Sequence, residues 1–304
     1  MQKWRKNRRK VKMNGQDVLC NECPRIECGD FDNYPVIYVD KKATGAGHGS
    51  SWTDAYTDIQ TAVNAHPRAE IQIKGYGESD CYPAGISLPE CAYLHGMDTG
   101  SGAVWIDGEN SNIIGISGGG IDGTTKIDSI NIKGCKNSCF AYCPLIINCS
   151  IKDTTLNGSG NQSGGFWNCN ILDNCSANNI LHNNSFTNCR TLNGCTSENS
   201  FFGFWNGVSF GAFILTGCTA TNHSFASFTG RQGSVFNTCI AEYQQSIIPS
   251  FSAVDCVLID CIARNNQGCG YKYYTTPNSY INCIDSNNCL AWGGDCSGQG
   301  CDSV

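Results

Sequence analysis

The sequence predicts an all-β chain built as a stack of repeating coils, a solenoid. Three observations predict it. First, the dipeptide Asn-Cys returns at a fixed interval, at Cys149, Cys169 and Cys189, and Cys218, Cys239, Cys261 and Cys283 continue at 21 to 22 residues after one longer gap. The flanking text repeats with it, from "LIINCSI", "FWNCNI" and "SFTNCRT" to "LIDCIA" and "YINCID". A fixed period near 20 signals stacked supersecondary units. Second, the chain holds 35 Gly and 22 Cys but only 8 Pro, with 15% charged residues. Third, helix-favouring runs of Ala, Glu, Lys and Leu are nearly absent, which suits many short strands and turns.

The chain opens with a basic, Cys-bearing segment, residues 1–35, read as an attachment module. Its first twelve residues, "MQKWRKNRRKVK", hold seven of the 20 basic residues and no acidic one. The rest of the chain is acidic. Such an arm contacts nucleic acid, anionic lipid or an acidic protein, or is a solvated tail; nucleic acid is not the expected partner. No apolar stretch follows it, so a secretion signal is not expected, and the reading is synthesis in a cytoplasm without export. No run of 18 apolar residues exists to form a membrane-spanning helix. "CNECPRIEC" then brings Cys20, Cys23 and Cys28 together. Cys-x-x-Cys is a zinc-ligand or redox spacing. Zinc wants four ligands, so Cys81, Cys91 or His48 would have to complete the set; disulfides or free thiols are the alternative. No other cofactor is expected.

Residues 36–70 read as a strand and a capping helix. Val36 to Val39 suit a short strand before a Gly-rich turn. Ser51 with Asp54 three residues on has a capping-box pattern, and Trp52, Tyr56, Ile59 and Val63 fall at helical spacing before Pro67. The spacing predicts one helix over 52–65. From 71 to 304 the text is β and carries the repeat.

The stretch "YVDKKATGAGHGSSWTDAYTDIQTAV … IQIKGYGE" resembles the entry of many right-handed parallel β-helix proteins, the group of pectate lyases and phage tailspikes. The resemblance implies a right-handed single-stranded parallel β-helix of about 20 to 22 residues per coil, with the helix plugging its N-terminal end. It is specific for fold and carries no single activity.

In such a fold successive coils lie about 4.8 Å apart, so residues one period apart stack. Cys149, Cys169 and Cys189 are then expected in one column and Cys175 with Cys195 in another, small apolar side chains in a narrow core. Asn148, Asn168 and Asn188 would form an amide ladder begun by Asp128. Mostly buried free thiols are expected, with Cys81–Cys91 and Cys296–Cys301 as the disulfides. Ten to eleven coils would make a rod roughly 50 Å long.

Function should sit on lateral faces and inserted loops. The interval from Cys189 to Cys218 is long by about one loop and contains "FFGFWNGVSFGAF". Phe201, Phe202, Phe204 and Trp205 in this inserted loop near 200–213, and Tyr271, Tyr273 and Tyr274 further on, are candidate ligand-binding aromatics; core filling is the alternative for the loop. The same period stacks Lys133, Asp153, Asp173 and Asn193. Asp153 and Asp173 are therefore candidate catalytic carboxylates, since paired carboxylates split their pKa values as glycoside cleavage requires; a Ca²⁺ site or a solvated turn column are the alternatives. The family's activity signatures are missing. There is no Asp-Asp pair, and "VWIDGEN" has Gly108 where pectate lyases carry a His. His182 and His223 are isolated and expected to be structural.

The reading is a structural and recognition protein: a bacteriophage tail spike or fibre-type virion protein, assembled in the host cytoplasm. It would bind bacterial surface polysaccharide and join other virion proteins through residues 1–35, as a homo-oligomer that the resemblance implies to be a trimer. The alternatives are a polysaccharide lyase or glycoside hydrolase, or a secreted or bacterial-surface β-helix protein.

Overall fold

The structure is a computed structural model and describes residues 10–13, 16–19, 31–111, 113–120, 123–155, 164–181, 183–206, 212–246, 248–268, 270–272, 279–286 and 288. Within the segment read as a basic arm, Lys10–Met13 pairs antiparallel with Gln16–Leu19.

Between Val36 and Ser286 the described residues form a right-handed parallel β-helix. Its three walls are parallel sheets of eleven, ten and nine short strands. The first wall starts at Val36–Val39, the second at Tyr82–Pro83 and the third at Ile86–Ser87. From Glu70–Lys74 to Tyr271–Lys272 each coil visits the walls in that order, and neighbours within a wall are whole coils apart. Right-handed winding is what a twisted strand imposes on a parallel crossover.

Strand alternation sends every second side chain inward. On the first wall Ile71, Leu94, Ile127, Ile146, Leu172, Leu192, Leu215, Phe236 and Leu258 stack in register. On the third wall Phe140, Phe166, Phe186, Phe204, Phe228, Phe251 and Tyr271 form one file, with ring centroids 4.7–5.0 Å apart and planes within 16° of parallel. On the second wall Ile106, Ile132 and Ile151 are followed by Ala177, Ser197, Ala220, Ala241 and Ala263. The coils of Phe140 and Phe166 still carry Ile132 and Ile151, and from Phe186 on each ring shares its coil with a small second-wall residue, which leaves it room in a close-packed core.

The Asn-Cys repeat marks the corners. Between the first and second walls, Ser129, Asn148, Asn174, Gly194, Gly217, Thr238, Asp260 and Asn282 all have φ of 50–62°. This left-handed turn favours Asn and Gly, whose cost there is lowest. The next residue points into the core. Seven thiols follow those turns: Cys149, Cys175, Cys195, Cys218, Cys239, Cys261 and Cys283, all buried and free. Their Sγ–H groups donate to main-chain carbonyls, as Cys239 does to Leu215 O at 3.7 Å and Asn237 O at 3.5 Å. A second column at the corner after the third wall holds Cys143, Cys169 and Cys189, behind Tyr142, Asn168 and Asn188 at φ 52–56°.

The expected columns are thus regrouped. Cys149 stacks on Cys175, not on Cys169, because the coil from Leu145 to Ile171 is 26 residues long and carries extra chain after Ser150–Thr155. The 20-residue interval between Cys149 and Cys169 joins two different corners. The amide ladder shifts likewise: Asn148 Nδ2 donates to Asp128 Oδ1 at 3.3 Å, and Asn282 Nδ2 to Asp260 Oδ1 at 3.1 Å. Cys81 is a free thiol whereas Cys91 is disulfide-bonded, so the two are not paired. Cys296 and Cys301 lie outside the described residues.

The helix is shorter than the spacing predicts. It spans Ile59–Ala65, and Asp58 caps it by accepting from Thr61 N at 2.7 Å. Ser51 and Asp54 do bond reciprocally, at 3.2 Å each way, but they close a loop. Tyr56 is held extended there, since its N–H donates to Tyr38 O at 3.0 Å and its carbonyl accepts from Asp40 N at 2.8 Å. Ile59, Ala62 and Val63 are buried in the core cluster beside the first coil.

Candidate functional site

Three successive strands of the first wall share the pattern polar–aliphatic–polar: Glu70-Ile71-Gln72, Tyr93-Leu94-His95 and Lys126-Ile127-Asp128. The aliphatic residue faces inward, so Glu70, Tyr93 and Lys126 line up in one outer column and Gln72, His95 and Asp128 in the next. His95 Nδ1 lies 2.9 Å from Glu70 Oε1, which also accepts from Gln72 Nε2 at 3.0 Å. The Tyr93 and His95 rings stack at 5.6 Å, 9° from parallel. Lys126 Nζ donates to Tyr93 Oη at 3.1 Å and lies 3.8 Å from Asp128 Oδ2. Asp128 is held in turn by Ser129 Oγ at 2.8 Å and by Asn148.

Chemically this is a cation, a carboxylate-oriented imidazole and a phenol on one face. Burial pushes the Tyr93 phenol up, while the bond and charge of Lys126 pull it back. Glu70 on Nδ1 fixes the ring orientation of His95, the usual way a carboxylate positions an imidazole. The candidate site residues drawn from the sequence missed all of them. The signal was the shared pattern around Ile71, Leu94 and Ile127, hidden by intervals of 23 and 33 residues between equivalent positions.

On the second wall, Asp107, Lys133 and Lys152 stack. Glu78 reaches over from its loop to pair with both lysines, and Lys133 lies 3.5 Å from Asp107. Lys152 sits 5.1 Å from the Trp105 ring centre. These charges satisfy one another and pin the 75–81 loop to the wall.

Asp153 and Asp173 are not brought together. Asp153 lies on the second wall at φ 49° and accepts from Asn179 Nδ2 at 2.7 Å. Asp173 lies on the first wall, stacked between Ile147 and Asn193. The long coil that regroups the cysteines separates them too. Phe204 and Tyr271 belong to the buried ring file, so neither is a surface aromatic. Phe201, Phe202 and Trp205 do reach the surface. Phe225 of the next coil stacks on Phe201 at 5.1 Å and meets Phe202 at 4.7 Å, and Phe201 is 39% exposed. Phe202–Trp205 is a strand of the third wall, not a loop. Tyr273, Tyr274, Cys20, Cys23 and Cys28 lie outside the described residues. Among the described residues no group of three His, Cys, Asp or Glu side chains is placed to hold a metal ion.

No family model matches the chain, and no curated protein does. Among solved structures it is similar to the A-module of the mannuronan C-5 epimerase AlgE4 of Azotobacter vinelandii. The identity is 12%, over 83% of this chain and 95% of that one, with a TM-score of 0.43.

Proposed function

We propose that the protein engages an anionic polysaccharide along the outer face of its first wall and cleaves it there as a lyase. The observation that carries this reading is the linked set Glu70–His95–Tyr93–Lys126–Asp128 on three successive coils. A sugar carboxylate would meet the Lys126 ammonium, whose charge makes the neighbouring C–H more acidic. His95, oriented by Glu70, takes that proton. The electron pair becomes a carbon–carbon double bond, and the bond to the leaving sugar oxygen breaks. Tyr93 returns a proton to that oxygen. General acid–base steps of this kind contribute about 10² to 10⁴ in rate.

The test is incubation with a panel of acidic polysaccharides, following the short-wavelength ultraviolet absorbance of the carbon–carbon double bond conjugated to the carboxylate in the product. Wild type should form it, and His95→Gln and Lys126→Ala should each lower the rate about 100-fold or more. No unsaturated product from any polysaccharide would sink the lyase reading.

A second reading is favoured by the ring cluster of exposed Phe201 with half-buried Phe202 and Phe225. Here the protein is a recognition spike of a bacteriophage virion that holds bacterial glycan on its rings without cleaving it. Attachment through residues 1–35 and a trimeric state belong to this reading. Glycan retention lost in Phe201→Ala/Phe202→Ala, with no product formed by wild type, would favour it.

A further inference from the structure

Tyr93 points outward by strand alternation yet is only 6% exposed. Its neighbours in the same outer column, Glu70 and Lys126, are only half-buried. The cover over Tyr93 is therefore local, and one source of it is visible. Just before the first strand, Phe31–Asn33 makes a single 3-10 turn, closed by Tyr34 N donating to Phe31 O at 3.1 Å. The Phe31 ring lies edge-on over Tyr93 at 5.6 Å and over Tyr34 at 5.3 Å.

This turn lies outside the main-chain ladder. Pro35 has no N–H to pair, and it is the Pro35 carbonyl that first joins the wall, accepting from Glu70 N at 3.0 Å. The turn is also imperfectly seated. The Tyr34 hydroxyl is buried with no hydrogen-bond partner. Burying such a group without a partner opposes the closed position, which the Phe31–Tyr93 ring contact favours.

We infer that Phe31–Tyr34 is a strap that closes over Tyr93 and lifts to admit substrate to the Tyr93–His95–Lys126 face. This rests on the polysaccharide reading above for what the face receives. Closed, the strap shields the phenol from water. Lifted about Pro35, it leaves Tyr93 and Lys126 open on the lateral face while the ladder from Val36 onward is untouched.

The test uses the full chain and two variants, Phe31→Ala to loosen the strap and Tyr34→Phe to seat it better. The first readout is the nitration rate of Tyr93 by tetranitromethane, read by peptide mass. It should rise about fivefold to tenfold in Phe31→Ala, the factor expected from losing one edge-to-face ring pair, and should not rise in Tyr34→Phe. Equal rates in wild type and Phe31→Ala would overturn the strap whatever the glycan result. The second readout is retention and cleavage of acidic polysaccharide. Faster nitration with a matching gain on polysaccharide supports the strap as a gate. Faster nitration with retention and cleavage unchanged overturns its gating role. Faster nitration with no polysaccharide retained or cleaved by either protein overturns the polysaccharide reading and leaves the strap standing.

Discussion

His223 offers the sharpest test of how the core is built. Its ring is wholly buried, behind the left-handed turn at Asn222 where the second wall passes to the third. Nδ1 lies 3.3 Å from Ser200 O, and Nε2 is buried with no partner. A Cβ added at Gly203 would lie 2.9 Å from that nitrogen, so the chain passes close over it. Burial disfavours the imidazolium and pulls the pKa from 6.5 down to about 4. Above pH 6.5 the ring is neutral in folded and unfolded chains, and its contribution is fully present. Between pH 6.5 and 4 the unfolded chain takes up a proton that the folded chain refuses, so stability falls with pH. At 1.36 kcal/mol per unit the full loss is about 3 kcal/mol, and about 2 kcal/mol is gone by pH 5. Carboxylates titrate nearby, so the comparison must be with His223→Gln, which keeps hydrogen-bonding capacity without this titration. In a stacked chain the loss is felt in adjoining coils. Hydrogen exchange of residues 219–230 at pH 7.5, 6, 5 and 4.5 reads it directly. Wild type should open progressively more than the variant below pH 6.5. Parallel pH profiles for the two proteins would refute the reasoning.

Other outcomes follow from the same architecture. Phe204→Ala removes a ring between partners at 4.7 and 4.9 Å and should cost about 3–5 kcal/mol, whereas Phe201→Ala at the surface should cost about 1 kcal/mol or less; thermal melts compare them. Asn174 sits at φ 51°, so Asn174→Ala should cost about 1–2 kcal/mol and Asn174→Gly clearly less, measured by denaturant midpoint. Cys81 is the one partly open free thiol among the described residues, and burial holds its pKa above the usual thiol range. A maleimide should label Cys81 in native protein, slowly at neutral pH and faster as pH rises. The seven corner thiols from Cys149 to Cys283 should label only after unfolding, as mass mapping would show.

The solenoid was legible because its cause is local. Each left-handed corner wants Asn or Gly, each following position wants a small buried side chain, and both leave a mark in the text every coil. Which corner a mark belongs to is not local. Three corners per coil use similar residues, and one coil of 26 residues slides the count so that Cys149 and Cys169 look equivalent when their strands belong to different walls. The supposed Asp153–Asp173 pair failed for that reason, and the ring file was hidden because Phe204 reads alike as insert or core. The polar face at Glu70, Tyr93 and Lys126 was illegible for the opposite reason. Its coils are irregular in length, so only the pairing of Ile71, Leu94 and Ile127 brings its members together. Helix onset at Ile59 rather than Trp52 depended on main-chain bonds from Tyr56 to Tyr38 and Asp40, distant partners that a helical count does not see.

The in-register walls make this molecule a ruler. Val235 pairs with Ile214, which pairs with Thr191, and Asn237 with Thr216 and then Asn193. Excising residues 214–234 would lay Val235 on Thr191 and Asn237 on Asn193, with Cys239 beneath the same turn as Cys195. The rod would be shorter by one graduation of about 4.8 Å and otherwise continuous. Its reach is counted in whole coils, so such a chain lengthens or shortens by duplication and loss of single turns, and the spacing between whatever it carries at its two ends changes only in those steps.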